Sequence, residues 1–143
     1  MRYMGLDYGS KTVGVALSDE LFMTVQPFET ICRDSETKLR RTLARIEKIV
    51  TEKDVKKIVL GLPLMPDGSV GQRANYTLAF KEKLSKRLPD IEITMVDERY
   101  TTTSSAEELE MMNVPKDEQK AYIDQLAACM ILEEYMNNQQ NTN

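Results

Sequence analysis

The sequence contains no histidine among its 143 residues. This absence excludes catalysis by a histidine general base, nucleophiles of the Ser-His-Asp and Cys-His types, and a zinc ion held by histidine. Cysteine is scarce too: Cys32 and Cys129 lie far apart and form no Cys-x-x-Cys pair. Such cysteines are typical of buried thiols in a reducing compartment. Any chemistry must therefore use carboxylates, amines, hydroxyls or a hard metal ion.

Long apolar runs are also missing from the sequence. No segment approaches the roughly 20 apolar residues that a membrane helix needs, and the N-terminus lacks the basic and then apolar pattern of a secretory signal. We therefore expect a cytoplasmic protein that does not engage a membrane. The length suits one domain, and 41% hydrophobic residues are enough for one core. We assign the domain to residues 1–136 and predict a disordered polar tail over 137–143.

The hydrophobic pattern predicts an α/β fold with five strands. They are indicated at 3–8, 12–18, 25–31, 55–62 and 91–96. Pro27 favours a sheet edge for the third strand. The fourth is a short apolar run, which is typical of a central parallel strand. A hairpin followed by strand–helix–strand crossovers predicts a mixed five-stranded sheet flanked by helices.

Helical periodicity accounts for most of the remaining chain. Helices are indicated at 36–52, 72–88 and 117–136, and a shorter one opens at 104–107. Asp34 or Ser35 is the expected N-cap of the first helix. The apolar stripes of the first two helices predict five core residues, which are Leu39, Leu43, Ile46, Phe80 and Leu84.

Asp7 is the first candidate functional residue. It lies at the end of the first predicted strand, between Gly5 and Gly9. A carboxylate at the rim of a buried sheet is poorly solvated unless something pairs with it, and glycines let backbone or ligand approach closely. Two interpretations stay open, a ligand for a metal ion beside a phosphate and a turn hydrogen bond ahead of Gly9.

A second candidate lies in the segment Asp97-Glu98-Arg99, which follows the last predicted strand. Parallel α/β sheets usually bind ligands at the carboxyl ends of their strands. The alternative is three solvated charges in a loop. Because neighbouring residues of a strand point to opposite faces, only one of Asp97 and Glu98 can face such a site. The pattern does not choose between them.

Asp124 is the third candidate. It shares one face of the last predicted helix with Ala121, Ala128, Ile131 and Tyr135. That face is apolar and should pack on the sheet, where a lone carboxylate is costly unless it has a partner. A divalent cation is one such partner, and an ion pair or cap contact with another element is the alternative.

Carboxylates from three separate elements suit Mg²⁺ or Mn²⁺, which are hard ions that take oxygen ligands. Such ions support phosphodiester hydrolysis without a protein nucleophile, in agreement with the missing histidine. The net charge of −4 argues against indiscriminate nucleic-acid binding but permits a local basic track.

Several basic and hydroxyl side chains are candidates for binding phosphates that flank such a site. They are Lys11, Arg73, Arg99, Thr101 and Thr102. The alternative is that the charges are solvated and the threonines cap a helix. The basic face between Lys38 and Lys48 is interpreted as a solvated helix surface.

Four sequence blocks together resemble the YqgF/RuvX family. They are Leu6-Asp7-Tyr8-Gly9-Ser10-Lys11 with Val13-Gly14-Val15-Ala16, Gly61-Leu62-Pro63 with Asp67-Gly68, Val96-Asp97-Glu98-Arg99 with Thr101-Thr102, and Ile123-Asp124 with Ala127-Ala128. The blocks occur in the family's order, and the resemblance spans nearly the whole chain. One departure is Thr12, where the family pattern has a basic residue, and this affects one phosphate contact rather than the metal site.

The resemblance implies an RNase H-like fold related to RuvC-type resolvases. It implies a hydrolase whose catalytic, metal-binding carboxylates are Asp7, Glu98 and Asp124, and it favours Glu98 over Asp97. It also implies one of two roles, maturation of the 5′ end of pre-16S rRNA in ribosome biogenesis or resolution of Holliday junctions in DNA recombination and repair. We therefore expect a Mg²⁺- or Mn²⁺-dependent nuclease, monomer or homodimer, that acts on pre-16S rRNA or, alternatively, on branched DNA.

Two other classes of protein are alternatives to a nuclease. Residues 7–10 also resemble the first phosphate loop of actin-like ATP-binding proteins, but such proteins need a second domain and this chain is too short for one. A non-catalytic RNA-binding module would be supported by a missing carboxylate, and all three are present.

Overall fold

The computed structural model describes residues 1–98 and 115–141 of the chain. Within them lie five strands, β1 (Arg2–Tyr8), β2 (Thr12–Ser18), β3 (Val25–Cys32), β4 (Val55–Leu62) and β5 (Glu92–Asp97). The helices are α1 (Arg40–Glu52), α2 (Gln72–Arg87) and α3 (Lys116–Asn141). The short helix predicted at 104–107 lies outside the described residues. No helix in the described parts of the chain is long and apolar enough to cross a membrane.

The five strands form one mixed sheet in the order β3-β2-β1-β4-β5. β2 is antiparallel to β1 and β3, whereas β4 is parallel to both of its neighbours. The predictions of an edge position for β3 and a central parallel position for β4 are therefore confirmed. Pro27 pairs with Ala16 beside a register irregularity in the β2–β3 ladder. Edges and bulges are where a sheet tolerates a residue without a backbone N–H.

The two faces of the sheet have different partners. Met4, Leu6 and Tyr8 of β1 belong to a hydrophobic core that also contains buried residues of α1 and α2. All five predicted stripe residues are buried in this core. The opposite face packs on α3, through clusters that include Ala128, Leu132 and other α3 residues. Because side chains of β1 alternate between faces, Asp7 lies on the α3 side.

Helix α3 lies close to the sheet because Gly5 and Gly14 have no side chains. A Cβ atom on Gly5 would lie 2.6 Å from the carbonyl oxygen of Ala128, and one on Gly14 would collide with the carbonyl of Asp124. The sequence predicts room for backbone or ligand at Gly5, beside Asp7. The structure shows that helix backbone occupies this room. Gly14 pairs with Asp7 in the sheet, so the close approach of α3 brings Asp124 toward Asp7.

Three local predictions were wrong. Helix α1 begins at Arg40 with Leu39 as its N-cap, rather than at 36 behind Asp34 or Ser35, because Glu36 is taken up by ion pairs. Cys32 is exposed rather than buried, because it ends an edge strand and points away from the face of its buried neighbour Ile31.

The third difference concerns the C-terminus. Helix α3 runs to Asn141, so residues 137–141 of the predicted disordered tail are helical. Once the buried residues of α3 hold the helix on the sheet, each added residue gains a backbone hydrogen bond without a new nucleation cost. The polar composition that indicated a tail did not reveal this continuation.

Candidate active site

Three carboxyl groups approach one another at one edge of the sheet. Strands β1, β4 and β5 are parallel and therefore end at the same edge. Asp7 is the penultimate residue of β1, Glu98 directly follows β5, and Asp124 comes from α3. The Asp7 and Glu98 side chains are hydrogen-bonded, and the charge of Asp124 acts on Asp7. This edge is the usual ligand site of parallel α/β sheets.

Glu98, rather than Asp97, is the residue in contact with Asp7. Val96 packs among the α3-side residues, and alternation places Glu98 two residues later on the same side. Glu98 lies over Gly61 so closely that a Cβ atom on that glycine would collide with its carboxyl oxygen. Gly61 therefore leaves the space that the Glu98 carboxyl uses.

The Asp7–Glu98 pair is arranged around a shared proton. Burial raises the pKa of Asp7, the Glu98 hydrogen bond lowers it, and the Asp124 charge raises it again. The pKa of Glu98 is raised to about 9, first by burial and then by the charge of Asp7. Two ionised carboxylates cannot hydrogen-bond to each other, so Glu98 is protonated at neutral pH and donates to Asp7. A divalent cation at this place could replace that proton.

Asp124 is partly buried, and its two oxygens have different surroundings. Burial raises its pKa, while a hydrogen bond with the Thr12 side chain and the charge of Lys120 lower it. Oδ2 of Asp124 is buried and has no hydrogen-bond partner among the described residues. An unpaired buried carboxylate oxygen is costly, and a cation would remove that cost.

These residues fit a hard divalent cation by their chemistry, but they do not form a closed cage. The donor set is all oxygen, one oxygen is unpartnered, and one carboxyl holds a replaceable proton. Within residues 1–98 and 115–141, no group of three or more Cys, Asp or Glu side chains is close enough to hold a metal as it stands. A bound ion would have to displace the Asp7–Glu98 hydrogen bond and draw in Asp124.

Arg73 is the basic residue that the structure brings to the carboxylates. It lies in the first turn of α2, and its charge lowers the pKa of both Asp7 and Glu98. Its Nη1 forms an ion pair with Glu36, and its Nη2 is buried without a partner among the described residues. Lys11 is exposed in the turn between β1 and β2. The other predicted phosphate contacts, Arg99, Thr101 and Thr102, lie outside the described residues.

Sequence reasoning missed Thr12 as a functional candidate. In the sequence it is only a departure from the family pattern, yet its side chain is a hydrogen-bond partner of Asp124. It lies at the start of β2, and its carbonyl accepts a hydrogen bond of 2.7 Å from Gly9, in the turn that follows Asp7. The signal available in the sequence was its position at the start of the strand predicted to form a hairpin with the strand of Asp7.

Arg33 and Glu36 were missed as well. Arg33 donates to the Gly9 carbonyl at 2.6 Å and to Glu36 at 2.5 Å, and its guanidinium lies 4.5 Å from the centre of the Tyr8 ring. Glu36 also pairs with Arg73 and accepts from the Tyr8 hydroxyl at 3.3 Å. This ion-pair group supports the turn after Asp7 and holds Arg73 beside the site. Its members are too distant in sequence for a local pattern to join them.

Comparison with solved structures identifies the fold. The structure is similar to that of RuvC from Thermus thermophilus in complex with a Holliday junction substrate, with a TM-score of 0.56 at 11% identity over 95% of this chain and 96% of that one. The fowlpox virus Holliday junction resolvase is also similar, with a TM-score of 0.52 at 15% identity over 96% and 99% of the two chains. The expected RNase H-like fold is therefore confirmed.

The family follows from sequence comparison. The model of the RuvX family, described as a Holliday junction resolvase, matches residues 1–138, and the chain belongs to this family. A protein of Lachnospira eligens named "Putative pre-16S rRNA nuclease" is 49% identical over 98% of this chain and 99% of its own length. A protein of the same name from Listeria monocytogenes is 41% identical over 95% and 97% of the two lengths. The predicted family and enzyme class, a nuclease, are confirmed.

Proposed function

We propose that this protein is a divalent-metal-dependent nuclease that matures the 5′ end of pre-16S rRNA, with Asp7, Glu98 and Asp124 as its catalytic, metal-binding residues. The observation that carries this is the meeting of Asp7 and Glu98 at the carboxyl edge of the sheet, with the unpartnered Asp124 oxygen beside them. We assign this activity to one domain, and we place it in the cytoplasm, where ribosomal precursors are processed.

The chain's own residues have distinct parts in this proposal. When bound, Mg²⁺ or Mn²⁺ would supply Lewis acidity at the scissile phosphate and activate water. Asp7 is the central residue of the three carboxylates, because it is hydrogen-bonded to Glu98 and its pKa is raised by the charge of Asp124. Thr12 orients the Asp124 carboxylate through a hydrogen bond. Arg73 places a positive charge beside the carboxylates, where it can bind a phosphate of the substrate.

Pre-16S rRNA is favoured over DNA by the degree of relatedness. The relatives named for pre-16S rRNA are 49% and 41% identical over almost their whole length. The RuvC complex with a Holliday junction is similar in fold at 11% identity. The description of the family model keeps a four-way DNA junction as the second candidate substrate. A junction has two symmetric cut sites, so that candidate requires a homodimer whose two sites face the same way.

The decisive experiment offers both substrates to one preparation. Pre-16S rRNA and a four-way DNA junction are incubated with the protein in Mg²⁺, in Mn²⁺ and in EDTA. We expect metal-dependent cleavage of the RNA, reduced by about 100-fold or more in Asp7→Asn. Asp90→Asn is the matched control, because Asp90 is exposed in the loop before β5 and carries the same substitution. Cleavage by Asp7→Asn at the parent rate would overturn the proposed site, and cleavage of the junction alone would change the substrate.

A further inference from the structure

A second candidate site lies at the connection between β3 and α1. A cavity of about 490 Å³ is found there, and its lining includes Cys32, Arg33, Asp34, Lys38, Arg40 and Arg41. Four of these six side chains are cationic and one is anionic. Lys38, Arg40 and Arg41 are exposed and form no ion pair with another described residue. The cavity is therefore positively charged in a chain whose net charge is −4.

The amino end of α1 opens at this cavity without the usual capping groups. Its N-cap is Leu39, which has no side chain able to accept a hydrogen bond, and its first turn contains no acidic residue. The first backbone N–H groups of a helix point outward and carry partial positive charge, so they attract anions when no cap is present. Helix α1 has 13 residues, long enough for this effect.

Arg33 gives an independent sign that an anion binds here. Its side chain is 3% exposed, yet Nε and Nη1 are buried without a hydrogen-bond partner among the described residues. The carboxylate of Glu36 forms ion pairs with both Arg33 and Arg73, so one negative charge faces two guanidinium groups. Buried donors of a charged group are costly when unpaired. Arg33 lines the cavity, so an anion bound there would supply the missing negative charge beside its guanidinium.

We propose that this cavity binds a backbone phosphate of the nucleic-acid substrate, away from the bond that is cut. The inference rests on the proposed function. Arg33, Glu36 and Arg73 form a continuous chain of ion pairs from the cavity to the carboxylates. A strand cut at Asp7 would thus have a second phosphate held at α1. The basic face between Lys38 and Lys48, for which the sequence predicts a solvated helix surface, includes Arg40 and Arg41, and both line this cavity.

Cys32 provides a direct reporter of occupancy. It is exposed and lines the cavity, whereas Cys129 is buried and burial raises the pKa of its thiol to about 12. A thiol reagent should therefore modify Cys32 first. We expect a short RNA, added in EDTA so that nothing is cut, to slow this alkylation at least threefold. Protection by inorganic phosphate at equal concentration and to the same degree would overturn the proposal in favour of a small-anion site, as would no protection.

Paired substitutions give the second test. Arg40→Ala/Arg41→Ala removes two exposed charges at the cavity, and Lys56→Ala/Lys83→Ala removes two exposed charges elsewhere. RNA affinity in EDTA is measured for both double variants and the parent over a range of salt concentrations. We expect the first to weaken binding about tenfold and to reduce the salt slope by about 0.7 to 0.9, as for one lost phosphate contact. Equal effects of the two double variants would contradict the proposal.

The outcome is separable from that of the proposed function. Binding and alkylation are measured without metal and need no cleavage. If Cys32 is protected while the protein cuts neither substrate, the phosphate site stands and the nuclease proposal fails. If the parent cuts RNA while Cys32 is not protected, the nuclease proposal stands and the phosphate site fails.

Discussion

Asp7 and Glu98 share a hydrogen bond although they come from strands β1 and β5, which are separated by β4. The contact exists because both strands end at the same edge of the sheet and because Gly61 on β4 has no side chain between them. In the absence of metal it is a proton-sharing pair. This single relationship makes the protein sensitive to pH, to divalent cations and to substitutions at glycine.

The stability of the metal-free protein should fall as pH rises. The pKa of Glu98 is about 9 in the folded chain, against an ordinary value of 4.5. Between these values the folded protein holds a proton that the unfolded chain has lost, so the free energy of unfolding decreases with increasing pH. We expect the melting temperature in EDTA to decline from about pH 5 to about pH 9. Thermal unfolding monitored by circular dichroism measures this.

Glu98→Gln is the matched variant for that experiment. Glutamine keeps a donor toward Asp7 and has no proton to lose, so we expect a flatter dependence of melting temperature on pH. A decline as steep as that of the parent would show that Glu98 does not hold the proton.

Divalent cations should stabilise the parent by binding to the folded state. We expect Mg²⁺ or Mn²⁺ to raise the melting temperature of the parent and to have little effect on that of Asp124→Asn, because this variant lacks one of the three carboxylates proposed to hold the ion. The Asp90→Asn variant should respond as the parent does. A shift of equal size in Asp124→Asn and the parent would place the binding site elsewhere.

Thr12 should act through Asp124. Thr12→Val preserves shape but removes the hydroxyl that bonds to the Asp124 side chain. A hydrogen bond to a charged group contributes roughly 1.5–3 kcal/mol, so we expect activity to fall by about 10-fold or more with a higher metal requirement. Thr12→Ser should restore both. A purely structural role would leave the concentration of Mg²⁺ at half-maximal activity unchanged in Thr12→Val.

Gly14→Ala should separate α3 from the sheet. The added Cβ atom would collide with the backbone carbonyl of Asp124, which cannot move without moving the helix. Overpacking of this kind costs roughly 1–3 kcal/mol, measured as a lower urea midpoint. Gly71→Ala is the comparison, because there the Cβ atom would meet the flexible Met65 side chain and should cost less. An unchanged midpoint for Gly14→Ala would show that α3 does not lie so close.

Much of the fold could be predicted from the local hydrophobic pattern of the sequence. The bounds of β2 and β4 agree with the predicted ranges 12–18 and 55–62, because alternation and apolar runs depend on neighbouring residues. The first residue of α1 could not be predicted from the local pattern. Glu36 fits a helical pattern, but its carboxylate binds Arg33 and Arg73, and the second of these lies 37 residues away.

The candidate site shows the same division. Asp7 and Asp124 stood out in the sequence because a carboxylate at a sheet rim or on an apolar helix face needs a partner. Strand alternation predicted that only one of Asp97 and Glu98 faces the site, but it did not indicate which one. The structure decided for Glu98 through its contact with Asp7 and the space over Gly61.

The sequence by itself determined the class of chemistry and the elements of the fold, since missing histidine, carboxylates at element ends and local periodicity are properties of the chain alone. Only the tertiary structure decided which groups meet: Thr12 with Asp124, Glu36 with two arginines, and a basic cavity with the open end of α1. These contacts depend on strand register and on how closely a helix can approach two glycines, and no local pattern encodes either.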